Sequence, residues 1–323
     1  MLPSVDELLD GALGFAIPLV TSFRGTRVRE GLLLRGPVGW AEFAPFPEYG
    51  ADESARWLSA AIEAGWIGWP AAVRDTVPVN AIVPAVTPDE ARRLALDSGC
   101  TTVKVKVGEP GQSLDDDLAR VGAVRDALGA SGRVRIDANG AWSTSEAVAA
   151  LRELSPFDLE YVEQPCATLP ECAAVRLTSG VRVAVDEGVR KAPDPQHVVG
   201  LRESADVLVL KVPPLGGVRP ALAVADTYGV PCVVSSALDT SVGLAAGLAL
   251  AASLPELPYA CGLGSGRLLA ADVCSDRLLP EDGRLRVRRP NVSASAVEAV
   301  VMGAGEMDPS RHRLAAAHEA LSG

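Results

Sequence analysis

Three histidines and four lysines are all that this chain of 323 residues contains, and aromatic residues make up only 4% of it. His312 and His318 fall in a charged C-terminal stretch, and His197 reads as a helix-surface residue. The six cysteines, Cys100, Cys166, Cys172, Cys232, Cys261 and Cys274, are scattered and form no CxxC pair. That excludes a zinc site built on paired cysteines and argues for buried, reduced thiols over a disulfide framework. No apolar run is long enough to cross a bilayer, which needs about 20 residues; the most apolar stretch is 243–254. Positive charge is also short, giving a formal net charge of −11. Such a chain has no overall electrostatic drive toward nucleic acid or anionic lipid. Asp6, Glu7 and Asp10 near the start do not make the basic-then-apolar layout of a signal peptide, and the expectation is a cytoplasmic protein.

What is there is a globular balance of 48% hydrophobic and 22% charged residues. The length suits one large barrel or sandwich, or a domain with a cap. Of 30 basic side chains, 26 are arginine; the lysines are Lys104, Lys106, Lys191 and Lys211. Arginine therefore serves wherever positive charge alone is wanted. Lysine persists where arginine does not substitute, and a site that must release its proton is one such place.

The first part of the chain reads as strands over Phe15–Val20, Thr26–Arg35 and Val38–Phe43, then a helix over Glu53–Glu63. From residue 79 the rhythm changes. Short apolar strands are predicted at Val79–Val83, Thr102–Lys106, Arg133–Asp137, Leu159–Glu163, Arg182–Asp186, Val207–Lys211, Cys232–Ser235 and Tyr259–Gly262. Helical segments such as Leu114–Leu128, Ser145–Leu154 and Val218–Tyr228 separate them. Eight strands alternating with helices predict βα units, a parallel sheet and a barrel. Beyond about residue 275, Leu278–Val287 reads as a hairpin around Glu281-Asp282-Gly283, followed by a polar helix. The expected division is an α+β capping unit, 1–78 with 276–323, around an α/β barrel, 79–275.

Polar residues recur at the ends of these strands. From Lys106 to Asp137, Glu163, Asp186 and Lys211 the steps are 31, 26, 23 and 25 residues, each about one βα unit. The same register in every unit places all five on one rim, the C-terminal face where barrel enzymes build their sites. Alternation along a strand also puts Lys104 beside Lys106 and Arg135 beside Asp137. Any one of these residues alone reads as a rim salt bridge; five in register read as a site. Three carboxylates meeting there repel one another unless a cation joins them. With oxygen ligands only, the cation should be hard: Mg²⁺ first, Mn²⁺ or Ca²⁺ next. Lys106 and Lys211 fall on strands flanking the three carboxylate strands. A neighbouring metal and Lys104 favour the neutral amine that a general base at Lys106 needs. A metal-held carboxylate substrate could then lose its α-proton to give an enediolate.

With these residues the chain resembles the enolase superfamily in its lysine-based branch. The resemblance implies a (β/α)7β barrel under an α+β cap formed by both chain ends, with the metal on Asp137, Glu163 and Asp186. No histidine stands where the His–Asp base of the mandelate-racemase branch would be needed. Within the lysine branch, the stretches Ser22–Gly31, Glu42–Tyr49, Arg135–Trp142 and Ala260–Gly264 resemble the o-succinylbenzoate synthases of menaquinone biosynthesis. That resemblance implies dehydration of 2-succinyl-6-hydroxy-2,4-cyclohexadiene-1-carboxylate to 2-succinylbenzoate. Lys106 would remove the α-proton and return it to the departing hydroxyl, while Lys211 would stand across the ring as an ammonium.

Substrate contacts are expected from Lys104, Arg135 and Asn139 at the rim, and from Ser235, Ser236 and Gly262 at the last strand ends. Arg24, in the cap stretch Phe23–Arg27, is expected to help choose the succinyl tail. Gly262–Gly266 resembles a phosphate loop only superficially, since no Gly-Lys-Thr follows. Two rivals remain open: racemisation of N-acylamino acids, which also uses opposed lysines, and a non-catalytic barrel that binds a metal and a carboxylate. Dipeptide epimerisation is weakened because Cys261–Gly264 carries no carboxylate, and the short chain speaks against a muconate-type cycloisomerase. The expected partner is a small carboxylate, with no nucleic acid and no membrane. The oligomeric state stays open, a monomer being compatible.

Overall fold

The chain begins with α1 (Val5–Leu9), β1 (Leu13–Phe23), β2 (Thr26–Arg35) and β3 (Trp40–Phe43). These strands make an antiparallel sheet, and α2 (Ala51–Ile62) then runs into a π-helical turn at Glu63–Ile67. The structure, a computed structural model, describes residues 2–23, 25–303 and 305–323. Leu32, Leu33 and Leu34 of β2 are all fully buried because both faces of the sheet are covered. Leu32 and Leu34 pack with Trp57 and Leu58 of α2, and Leu33 with Phe15, Leu269 and Val273.

After β4 (Thr76–Pro78) come seven parallel strands that pair in chain order. They are β5 (Ala81–Val83), β6 (Thr102–Lys106), β7 (Arg133–Asp137), β8 (Leu159–Glu163), β9 (Val183–Val185), β10 (Val207–Leu210) and β11 (Cys232–Val234). Helices α3 (Pro88–Asp97), α4 (Leu114–Leu128), α5 (Thr144–Leu154) and α6 (Leu169–Ser179) connect the first strands. The short α7 (Glu187–Arg190), α8 (Leu201–Ser204) and α9 (Val212–Leu215), with α10 (Val218–Tyr228), connect the later ones. Capping boxes start α4, α5 and α6: Ser113, Ser143 and Thr168 each accept an N–H from the third helical residue, whose carboxylate accepts in return. The apolar run at 243–254 becomes α11 (Ser241–Ser253), buried almost all round because it packs on β11 from one side and on β3 from the other.

The expected eighth strand is reduced to two residues. Cys261 bridges Val79 and Gly262 bridges Ser235, both parallel, and these two bridges join the sheet edges into a barrel. A side chain at 262 would put its Cβ 2.5 Å from the Ser235 hydroxyl, so only glycine lets the edges come this close.

The expected hairpin at 278–287 keeps its turn, where Glu281 and Arg284 exchange backbone hydrogen bonds at 2.9 Å around Asp282-Gly283, but not its first strand. β12 (Arg284–Arg286) pairs antiparallel with β4, Leu285 opposite Val77, and 278–281 forms no partner strand for it beyond a single Glu281–Arg284 bridge. Leu285 and Val77 are both buried, so the apolar side chain of the tail is satisfied by the distant strand. The chain ends with α12 (Ala294–Glu298) and α13 (Asp308–Ser322), the latter packed on α2. All six cysteines are free and buried. No helix among the described residues is long and apolar enough to cross a membrane.

Charged side chains of the N-terminal unit sit on the ends of barrel helices. Glu42 of β3 accepts from the Thr240 and Gly243 amides at 3.1 and 3.2 Å, at the start of α11. Glu63 accepts from the Arg219 amide at 3.1 Å and from the Val218 amide, at the start of α10. Arg56 of α2 donates to the Arg190, Ala192 and Pro193 carbonyls at 3.2, 2.8 and 2.6 Å, where α7 ends.

Burial, helped by the Asp239 charge and opposed by Arg29, pushes the Glu42 carboxyl up from 4.5 to about 7. A carboxyl with a raised folded pKa binds more protons folded than unfolded, so its contribution to stability falls as pH rises between those values. Glu42→Gln removes this term. Urea midpoints measured from pH 4.5 to 7.5 should therefore move in favour of the variant as pH rises; a constant difference would show that Glu42 does not titrate in that window.

Candidate active site

Parallel pairing sets the site. In the Cα register, Lys106 of β6 faces Asp137 of β7, and Asp137 faces Glu163 of β8. Glu163 faces Ala184 of β9, and Asp186 lies two residues farther along the chain. Lys211 follows directly on β10. One layer lower, Lys104 faces Arg135, and Arg135 faces Tyr161. The period of two along each strand thus builds two inward layers.

Asp137, Glu163 and Asp186 are all buried. Lys104 reaches up between two of them, its Nζ 3.2 Å from Asp137 Oδ2 and 2.7 Å from Glu163 Oε2. Lys211 Nζ lies 2.6 Å from Asp186 Oδ2, and Arg190 Nε donates to Asp186 Oδ1 at 2.9 Å. Burial works to lower the Lys104 pKa, but the Asp137 and Glu163 charges outweigh it and hold the amine firmly protonated. Burial and the Asp137 charge raise the Glu163 carboxyl to about 7, against the pull of Lys104.

Above these groups opens a cavity lined by Lys104, Asp137, Lys211, Ser235 and Ser236 from the barrel and by Phe23, Thr26, Phe46 and Tyr49 from the N-terminal unit. Ser236 Oγ donates to the Gly262 carbonyl at 3.0 Å and stands 2.7 Å from Ser265 Oγ. Lys106 is buried at the edge, with Nζ 2.9 Å from the Val107 carbonyl, 3.4 Å from the Asp137 carbonyl and 3.8 Å from Glu109 Oε2. Asn139, with a left-handed φ of 48°, donates through its amide N–H to Asp137 Oδ1 at 3.0 Å and through Nδ2 to Glu187 Oε1 at 3.3 Å. It binds the cluster together and does not line the cavity. Arg24 lies outside the described residues.

Among the described residues no three His, Cys, Asp or Glu side chains are gathered as a metal cluster; Lys104, Lys211 and Arg190 neutralise the carboxylates instead. The donors nonetheless suit a hard divalent cation. They are carboxylate oxygens only, and Glu163 Oε1 and Asn139 Oδ1 are buried with no hydrogen-bond partner among the described residues.

Several residues of the site carry no clear mark in the sequence. Gln164 takes the Asp186 and Gly188 amides on its Oε1 at 3.1 and 3.2 Å and so shapes the turn that carries Asp186. Arg190 and Tyr49 also line the cavity, as does Lys191, so all four lysines of the chain lie at or beside it. The spacing of Arg190 from Asp186, one helical turn, was the only available signal for the former.

Arg135 departs from its expected substrate role. Its side chain is fully buried in the lower layer, bonded to Glu160 at 2.5 Å, Asn80 Oδ1 at 3.1 Å and the Ala260 carbonyl at 2.6 Å. It stacks on Tyr161 with 4.7 Å to the ring centroid. It plugs the barrel beneath the cavity. Arg135→Met strands Glu160 without its partner and should cost about 3–5 kcal/mol in urea unfolding; a rise in KM at unchanged stability would restore the substrate role.

The comparisons with known proteins agree with this fold. Residues 87–291 match the family described as enolase C-terminal domain-like, and residues 15–65 match enolase N-terminal domain-like. The o-succinylbenzoate synthase of Thermobifida fusca (strain YX) is 61% identical over 308 residues, 95% of each chain. That of Mycolicibacterium smegmatis is 51% identical over 288 residues, 88% of each. In the fold, muconate lactonizing enzyme from Pseudomonas putida superposes with a TM-score of 0.75 at 18% identity, over 90% of this chain and 98% of that one. With near-complete coverage at this identity, the chain belongs to the o-succinylbenzoate synthase family of the enolase superfamily.

Proposed function

We propose that this protein is a lyase that dehydrates 2-succinyl-6-hydroxy-2,4-cyclohexadiene-1-carboxylate to 2-succinylbenzoate. The observation that carries the reading is the buried cup of Asp137, Glu163 and Asp186 with a lysine strand on either side, β6 with Lys106 and β10 followed by Lys211. Near-full-length likeness to synthases of that name supports it. Asp137, Glu163 and Asp186 would hold Mg²⁺, or Mn²⁺ in its place. When bound, the cation supplies charge against the substrate carboxylate and makes the neighbouring C–H more acidic.

The chain's own residues do the rest. Lys106 takes the proton α to the carboxylate, and the same amine, now an ammonium, gives it to the hydroxyl on the adjacent carbon. A C–H and a C–O bond break, a ring C=C forms, water leaves and the ring becomes aromatic. The Lys106 amine rests on backbone carbonyls at the cup wall, so the reading requires a change of rotamer toward the cavity. Lys104, already committed to two carboxylates, is a counter-ion and not the base. Lys211 presents a second ammonium from the opposite side. Phe23, Phe46 and Tyr49 line the cavity on the side of the N-terminal unit, while Ser235, Ser236 and the 262–265 turn receive the succinyl tail. Packing of α13 on α2 and pairing of β12 with β4 support a capping unit, 1–78 with 276–323, over a barrel, 79–275.

The opposed lysines also suit racemisation of N-acylamino acids, and one experiment separates the readings. Purified protein with Mg²⁺ should consume the diene absorbance of the cyclohexadiene, and Lys106→Ala should lower kcat by about 10²–10⁴-fold. An untouched diene, with deuterium exchange into N-succinyl amino acids in D₂O, would replace the lyase reading by the racemase one.

A further inference from the structure

Arg190 is the point where the N-terminal unit meets the carboxylate cup. Its buried guanidinium uses three nitrogens on three partners: Nε on Asp186 Oδ1 at 2.9 Å, Nη2 on Glu187 Oε1 at 2.7 Å, and Nη1 on the Tyr49 hydroxyl at 2.7 Å. The rigid fork of arginine makes these bonds interdependent, because moving one donor swings the others. Glu187 passes the constraint on through Asn139, which is bonded to both Glu187 and Asp137. Two of the three carboxylates are thus linked to Tyr49 by unbroken hydrogen bonds.

Tyr49 is itself placed by the N-terminal unit. It meets Phe46 edge-on at 5.8 Å and lies 6.1 Å from Trp57 of α2, and its amide donates to the Phe46 carbonyl at 3.0 Å. Arg56 of the same helix holds the Arg190 carbonyl and the two carbonyls just beyond it. Backbone and side chain of Arg190 are therefore both gripped by one unit while its guanidinium aims Asp186 in the other. Tyr49 also lines the cavity, where a substrate would press on it.

We propose that Arg190 is a positioning residue that couples the seating of the Tyr49 loop to the aim of Asp186, so that a correctly seated cap completes the divalent-cation site. The inference rests on reading Asp186 as a cation ligand. Mn²⁺ binding to full-length, substrate-free protein, followed by electron paramagnetic resonance, tests it without relying on turnover. Tyr49→Phe removes only the hydroxyl, and Arg190→Lys keeps the charge but loses the fork. Both should weaken Mn²⁺ binding by about 10-fold or more, with the loss in Tyr49→Phe persisting well below that variant's metal-free melting temperature. A purely structural Tyr49 would lower that temperature and leave the affinity alone. Wild-type Mn²⁺ affinity in both variants overturns the coupling while the ligand reading stands. Absence of Mn²⁺ binding in the wild type removes the ligand reading and the coupling with it.

Discussion

Three carboxylates buried in one barrel mouth are the constraint around which the rest of the structure is arranged. Asp137, Glu163 and Asp186 have lost most of their water, and each raises the cost of ionising its neighbours. Positive charge has to arrive from several directions at once. It comes from the layer below through Lys104, from the next strand through Lys211, and from the following helical turn through Arg190. These suppliers differ in kind. Arginine, with its fixed fork, aims a carboxylate, whereas lysine brings a point charge on a long stem that can be redirected. All four lysines of an otherwise arginine-based chain lie at or beside this one cavity, and the scarcity acquires a physical meaning there.

The same logic governs how the two units hold together. Apolar packing contributes to the contact, with α11 buried and packed on both β11 and β3. Direction is set by ionic side chains placed on unsatisfied helix ends. Glu42 and Glu63 meet amides at the starts of α11 and α10, and Arg56 meets carbonyls at the end of α7. Each pairing matches the sign of the helix dipole and satisfies backbone groups that have no partner within the helix. Helix starts in a parallel barrel follow the strand ends that carry the active site. Docking on them places Phe46 and Tyr49 over the cavity and not elsewhere on the barrel.

Much of this was legible in the sequence, for identifiable reasons. Strand alternation and a βα repeat of nearly constant length are local patterns, so the pairing of Lys106, Asp137 and Glu163 followed from counting. What escaped depends on distances along the barrel axis and on contacts remote in sequence. Arg135 shares a face with Asp137, yet two residues along a strand are a full layer, and Glu160 and Tyr161 claim it there. The eighth strand reads as four residues and pairs through two, because closure asks only for Cys261 and Gly262 to reach both edges. The partner of β12 lies more than two hundred residues away at β4, and no local turn signal reports it. Arg190 leaves a trace in its spacing from Asp186, but its third partner, Tyr49, is visible only once the chain has folded.

The layering also bears on which lysine would act as base in the proposed reaction. Strand alternation puts Lys104 and Lys106 on one face and does not distinguish them. Depth does. Lys104 rises from below into the gap between Asp137 and Glu163, and two carboxylates hold it in the charged state that a base must not occupy. Lys106 begins one layer higher, where its amine lies 2.9 and 3.4 Å from backbone carbonyls and 3.8 Å from Glu109 Oε2, a longer carboxylate contact than either of those that hold Lys104. A Lys-x-Lys pair on one strand separates the two tasks, compensation and proton transfer, by 2 residues of chain, and that separation supports the assignment of Lys106 as the base.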